Sequence, residues 1–269
     1  MITPKGLKSI PPDSLIVIDT RPAWKYFIGH IPDSINIPNW KEFTETRNEV
    51  SGLLIQDLEW IAVKLRQLGI SNDKTLIIYG DSTDSWRTDG RFFWMFHYYG
   101  FKKTALLDGG FEQWKLEDGT SESGVGKELI PSKIVSTDIR LNNEIIADRF
   151  WIAERLKSPS NRLIDNRTRK EYDGATPYGS PRGGHIPGAI HIDWRDFFKK
   201  DGRLKERVKL IAILNRYGIS SEQEIAVYCT GGVRSSMAYF VLKTLNFKVR
   251  NYDGSWWDWS HQLAYPTEY

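Results

Sequence analysis

The chain has 269 residues, 37 Lys+Arg against 34 Asp+Glu, 40% hydrophobic residues and a single cysteine. At roughly 100–200 residues per domain this is one large domain or two ordinary ones, and the composition excludes a wholly disordered chain. A net charge of +3 gives no argument for nucleic acid or an anionic membrane as partner, and lone Cys229 excludes an internal disulfide and a thiolate-rich metal site. No apolar run approaches the ~20 residues of a bilayer crossing. Met1–Asp13 lacks the pattern of a secretory signal, which makes the cytoplasm the default compartment.

In chain order, Leu15-Ile-Val-Ile18 reads as a buried parallel strand ending at Asp19-Thr-Arg21, followed by Gly29-His-Ile-Pro32. Leu58, Ile61, Ala62, Leu65 and Leu68 repeat at helical spacing, and Leu76–Tyr79 is a second buried strand. It ends in Gly80-Asp-Ser-Thr-Asp-Ser85, ahead of Arg91 and the aromatic stretch Phe92–Phe96. Asp108-Gly-Gly-Phe-Glu-Gln-Trp114 precedes a Gly/Ser-rich run, Gly119–Gly126, with linker composition.

The same succession then returns. Leu163-Ile-Asp165-Asn-Arg167, Gly184-His-Ile-Pro187, Ile225–Tyr228 and Asp253-Gly-Ser-Trp-Trp-Asp-Trp259 answer the earlier segments in order, at offsets of 146, 155, 149 and 145. Ordered matches at so long a period mean a duplicated domain. Residues 1–125 form one copy and 137–269 the other, with 115–136 as the connection. A helix is expected in the second copy with Val208, Ile211, Ala212 and Leu214 on its apolar face. Alternating strands and helices make each copy α/β, a parallel sheet with helices on both faces, whose ligands sit beyond the carboxyl ends of the strands.

Strand Ile225–Tyr228 runs directly into Cys229-Thr-Gly-Gly-Val-Arg234, and a helix-compatible apolar run follows from Met237 to Leu245. Gly231 and Gly232 permit the backbone turns that make an anion-binding nest, and the helix start adds unpaired N–H groups. Such surroundings lower a thiol pKa. Arg234 contributes a permanent cation suited to oxyanions.

The segment Cys229–Arg234, the Asp-x-Arg strand ends, the two Gly-His-Ile-Pro segments and the Asp-Gly-Gly/Ser-aromatic segments resemble a tandem-domain rhodanese-type sulfurtransferase from Leu15 to Trp259. The resemblance implies that only the C-terminal copy is catalytic. The sequence agrees, since Gly80 stands opposite Cys229. It further implies a Cys229 persulfide, with thiosulfate or 3-mercaptopyruvate as sulfur donor, cyanide or a thiol as acceptor, and no cofactor or metal. Thr230, Gly231, Gly232, Val233 and Arg234 would hold the donor. The second copy inserts about nine residues within a turn-rich loop, Tyr172–Gly184, in which Arg182 resembles the family's substrate-anion arginine.

Competing readings are a cysteine phosphatase, whose loops carry five residues between cysteine and arginine where this one carries four, and an idle binding module or sulfur carrier serving an acceptor protein. Asp19 and Arg21 mirror Asp165 and Arg167, so structural ion pairs are expected in both copies. His30 likewise mirrors His185, and a structural pairing is expected of Arg91. Packing between domains is expected of Phe92–Phe96, Trp256, Trp257 and Trp259, some of which would wall the active cleft.

Overall fold

The computed structural model describes residues 1–84 and 86–269, which leaves Ser85 of the expected loop outside the described residues. The chain forms two compact units. One comprises Met1–Phe43, Ile55–Asn142 and Lys200–Arg203; the other comprises Thr44–Leu54, Asn143–Lys199 and Leu204–Tyr269.

The strands in chain order are β1 (Leu15–Asp19), β2 (Ile35–Asn36), β3 (Thr44–Arg47), β4 (Val50–Leu54), β5 (Thr75–Tyr79), β6 (Thr104–Leu106), β7 (Ile146–Ala147), β8 (Asn161–Asp165), β9 (Ile190–His191), β10 (Glu224–Tyr228) and β11 (Lys248–Tyr252). The helices are α1 (Pro4–Lys8), α2 (Ala23–Ile28), α3 (Leu58–Gln67), α4 (Thr88–Tyr98), α5 (Gly110–Leu116), α6 (Arg149–Arg155), α7 (Arg169–Tyr172), α8 (Arg207–Arg216), α9 (Val233–Thr244) and α10 (Ser255–His261). The N-terminal unit carries a parallel sheet in the order β2-β1-β5-β6 and the C-terminal unit one in the order β7-β11-β10-β8-β9. Strands β3 and β4 form an antiparallel hairpin, turned by Asn48 and Glu49 at positive φ as two-residue hairpin turns require. Its Leu54 N–H donates to Asp253 Oδ2 at 2.8 Å, within the C-terminal unit.

The central strands β5 and β10 bury four of five residues each, the pattern of parallel strands covered on both faces. Their last residues act alike: Tyr79 Oη accepts from Ile31 N–H, and Tyr228 Oη from Ile186 N–H, both at 3.1 Å. Helix α3 buries Ile61, Ala62 and Leu65 as expected and is capped by Asp57, which accepts from the N–H groups of Glu59 and Trp60. Helix α8 forms where expected but is turned differently. Val208 is 79% exposed and Ala212 is also exposed, while Leu210 and Leu214 are buried. The run Val-Lys-Leu-Ile-Ala-Ile-Leu is apolar on several sides, so its spacing leaves the phase of the buried face open.

The expected connection, residues 115–136, is laid along the N-terminal unit. Glu122 pairs with His30 in an antiparallel bridge, Ser132 N–H donates to Arg66 O, and Ile134 is 3% exposed. Its Gly/Ser-rich composition suggests a flexible tether, but these backbone pairings fix its path. Trp256 and Trp259 belong to the core of the C-terminal unit with Tyr228 and Tyr252. Phe92–Phe96 are buried on α4, with Phe92 edge-on to Phe43 of the same unit.

Both Asp-x-Arg pairs are buried forks. Arg167 Nη2 donates to Asp165 Oδ2 at 2.6 Å and to Gly184 O at 2.7 Å; Arg21 does the same toward Asp19 and Gly29 O. Each fork ties a strand end to its Gly-His-Ile-Pro segment. His185 stacks on Tyr172 and His30 on Tyr26, again in parallel roles. Arg91 lies over the rings of Trp40 and Trp94, the structural placement expected of it. Arg167→Ala leaves Asp165, with no exposed surface, as an uncompensated buried charge. The expected loss is about 3–5 kcal/mol, read as a fall in the urea midpoint.

Candidate active site

Cys229 follows the last residue of β10, at the carboxyl edge of the sheet where ligands of such folds collect. Gly232, at φ 76°, turns the chain into α9; an L side chain is disfavoured there. Gly231 is required for a different reason: a Cβ would fall 2.3 Å from the ring of Trp257. Trp257 thus walls the loop, as expected of one of the three tryptophans.

Three carbonyls of the loop point outward to fixed donors. Cys229 O accepts from Trp256 N–H at 3.0 Å and Thr230 O from Trp257 N–H at 2.9 Å. Gly232 O accepts from Ser236 Oγ at 2.6 Å and Asn251 Nδ2 at 3.3 Å. With carbonyl dipoles turned away, backbone N–H groups face the sulfur. Burial pushes the Cys229 thiol up, but Arg234, Ser235 Oγ and the N–H groups of Ser235 and Gly231 outweigh it and hold the thiol below its ordinary value. Ser235 Oγ lies 3.5 Å from Sγ. The residue is 1% exposed.

Arg234 is not a loose anion receptor. Its Nη1 and Nη2 donate to Glu171 Oε2 and Oε1 at 2.8 Å, and Nη2 also donates to Thr230 Oγ1 at 2.6 Å. Thr230 Oγ1 donates in turn to Glu171 Oε1 at 2.8 Å. Burial opposes ionisation of Glu171, but Arg234, Thr168 and Thr230 overcome it and hold its carboxyl at about 2. Val233, the first residue of α9, is 2% exposed. The structure therefore gathers Cys229, Thr230, Gly231, Gly232, Val233 and Arg234 at one loop.

Arg182 stands apart from the role expected of it. Its guanidinium donates to the carbonyls of Trp259, Ser260, Gln262 and Tyr265 at 2.8–2.9 Å, gripping the end of α10. Four backbone acceptors take four of the five guanidinium N–H donors. The inserted loop reaches the site through Tyr178, whose ring lies 5.6 Å from the Arg234 guanidinium and whose carbonyl accepts from Trp257 Nε1. Glu171 was not foreseen either. Its signal is Thr168-x-x-Glu171, a capping box in which Thr168 Oγ1 accepts from Glu171 N–H while Glu171 accepts from Thr168 N–H.

The matching place in the N-terminal unit is filled. A Cβ on Gly80 would lie 3.1–3.2 Å from Thr20 Oγ1 and the Asp89 side chain. Asp89, counterpart of Arg234 by position in the helix, takes a bidentate bond from Arg87. Lys25 pairs with Asp81 where the C-terminal unit pairs Glu171 with Thr230 and Arg234.

The rhodanese-like domain model matches residues 3–117 and 149–262. A thiosulfate sulfurtransferase of Corynebacterium glutamicum is 32% identical over 96% of this chain and 85% of its own. The sulfur carrier protein TtuD of Thermus thermophilus is 33% identical over 90% of this chain and 86% of its own. The crystal structure of SseA from Escherichia coli, described as a 3-mercaptopyruvate sulfotransferase, superposes with a TM-score of 0.82 at 27% identity, covering 95% of this chain and 98% of that one.

The buried clamp has a pH signature. Glu171 is ionised in the fold down to about pH 2, against an ordinary 4.5. Its contribution is full above the unfolded value and is lost as pH falls from about 4.5 toward 2. It amounts to about 3 kcal/mol. Glu171→Gln is expected to lower stability at pH 7 and to flatten this acid limb, measured by urea unfolding between pH 7 and 3.

Proposed function

Since the chain belongs to the rhodanese family and is a sulfurtransferase of that family, we propose that it transfers sulfane sulfur through a Cys229 persulfide, with thiosulfate as lead donor and 3-mercaptopyruvate next. The observation that carries this reading is the loop itself, in which outward carbonyls and inward N–H groups favour a sulfur anion at Cys229. The Cys229 thiolate attacks the outer sulfur of thiosulfate. An S–S bond forms, the donor's S–S bond breaks, and sulfite leaves with the bonding electron pair. The persulfide anion left on Cys229 is stabilised by the same N–H groups, in the manner of an oxyanion hole. Cyanide or a thiol then takes the outer sulfur and the thiolate returns.

Arg234 contributes a fixed positive field and the shape of the loop, because Glu171 and Thr230 hold it in place. Arg182 has the role of supporting the end of α10. Thr230, Gly231, Gly232 and Val233 form the backbone cradle. The N-terminal unit, with Gly80 opposite Cys229, is a non-catalytic partner. The absence of a second cysteine in this chain places the acceptor outside it, either a small thiophile or a protein. The likeness to a sulfur carrier favours the protein acceptor as a second reading. Among the described residues no helix is long and apolar enough to cross a membrane, and the substrates are small soluble anions and thiols.

Treatment with thiosulfate or 3-mercaptopyruvate should add one sulfur to the Cys229 peptide by mass spectrometry, and thiocyanate should form on adding cyanide. Cys229→Ser should show neither; an equal gain on that variant, or no gain on the wild type, rejects the scheme. Arg182→Ala should leave the donor KM within about twofold and lower thermal stability by roughly 1–3 kcal/mol through lost bonds to buried carbonyls. A large rise in KM with unchanged stability would restore the arginine to the donor site.

A further inference from the structure

Cys229 is held by both of its backbone groups, and the two holds come from successive residues at the start of α10. Its carbonyl accepts from Trp256 N–H at 3.0 Å. Its N–H donates to Ser255 Oγ at 3.2 Å, and that hydroxyl donates onward to Tyr252 O at 2.6 Å. Ser255 has no exposed surface, so loss of its oxygen leaves a buried N–H without this acceptor.

Ser255 adopts φ 51°, a left-handed conformation unfavourable for a residue with a Cβ. The N-terminal unit shows the relaxed alternative. Its counterpart is Gly110 at φ 63°, and the following Phe111 N–H donates to Gly80 O at 3.1 Å. The carbonyl hold is thus common to both units. The hold on the amide nitrogen needs a side chain, which glycine does not have; a Cβ on Gly110 would fall 2.4 Å from Gly80 O. The unit that carries the thiol accepts strain at the residue where the other unit has glycine. Strain kept at a site of chemistry points to function.

We propose that Ser255 is a positioning residue for sulfur transfer: through its bridge from Tyr252 O to the Cys229 N–H it fixes the Cys229 backbone, and hence the place of Sγ against the N–H groups of Gly231 and Ser235. The proposal rests on the sulfurtransferase reading for its rate effect, and on geometry alone for its effect on the thiol. No contact between Ser255 and a substrate is involved. What it supplies is a fixed origin for the nucleophile.

Two variants test it. Ser255→Ala removes the oxygen and keeps the Cβ. Ser255→Gly removes both and suits the backbone, so it folds even where the alanine is strained. The pH dependence of Cys229 alkylation by iodoacetamide and the rate of persulfide formation from thiosulfate are measured on each, alongside the melting temperature. The expected result is a midpoint of alkylation raised by about half a pH unit or more, and persulfide formation roughly fivefold to tenfold slower, with Ser255→Gly, in which relieved strain offsets the lost hydrogen bonds, melting near the wild type. Wild-type midpoints and rates in both variants overturn the proposal, as does a Ser255→Gly defect accompanied by a matching loss of fold. Should wild-type protein take up no sulfur, the donor reading fails by itself, and the alkylation midpoint still decides the role of Ser255.

Discussion

Cys229 O, Thr230 O and Gly232 O point away from the thiol, and each is kept there by a donor from another part of the same unit. The loop Cys229–Arg234 has as many carbonyls as N–H groups, so it favours an anion only when the two sets are sorted. Sorting is done by α10 on one side and by β11 and α9 on the other. The core beneath exists in large part to hold those elements in register: Trp256 and Trp259 pack against Tyr228 and Tyr252, while Arg167 lies over the Trp256 ring at 4.6 Å. The buried Asp165–Arg167 fork is therefore remote from chemistry but not indifferent to it.

The two units show how little must change for one scaffold to lose a thiol site. The forks, the histidine stacks and the tyrosine hydroxyl bonds occur in both. Around the loop the matched positions differ in kind: Gly80 for Cys229, Lys25 for Glu171, Asp81 for Thr230, Asp89 for Arg234 and Gly110 for Ser255. Charge is inverted at the ion pair, since Lys25 with Asp81 replaces a carboxylate from the same early helix. Each loop is internally neutralised, but only one leaves a sulfur facing N–H groups.

Much of this was legible in the sequence. Buried parallel strands such as Leu76–Tyr79 and Ile225–Tyr228 announce themselves because both faces are apolar, and the repeat singled out Cys229 by setting Gly80 opposite it. Strand β11, Lys248-Val-Arg-Asn-Tyr252, was hidden because its polar residues have specific partners: Arg250 bonds Glu224, and Asn251 bonds Gly232 O and Ser236. Glu171 and Ser255 were visible as differences between copies, but a pairing across 63 residues or an unusual φ has no local sequence pattern. Arg182 illustrates the converse. A loop arginine in a plausible place could reach either an anion or four carbonyls, and only the fold distinguishes them.

The hairpin β3–β4 comes early in the chain but belongs to the C-terminal unit, while Lys200–Arg203 comes late and belongs to the N-terminal one. No single cut can therefore release two complete units, even though the repeat is tandem in sequence. During synthesis Leu54 emerges almost two hundred residues before Asp253, its hydrogen-bond partner. The loop-closing entropy of that contact is met only once Asp253 has been made. Duplication supplied two similar halves; the chain's path makes their maturation one event.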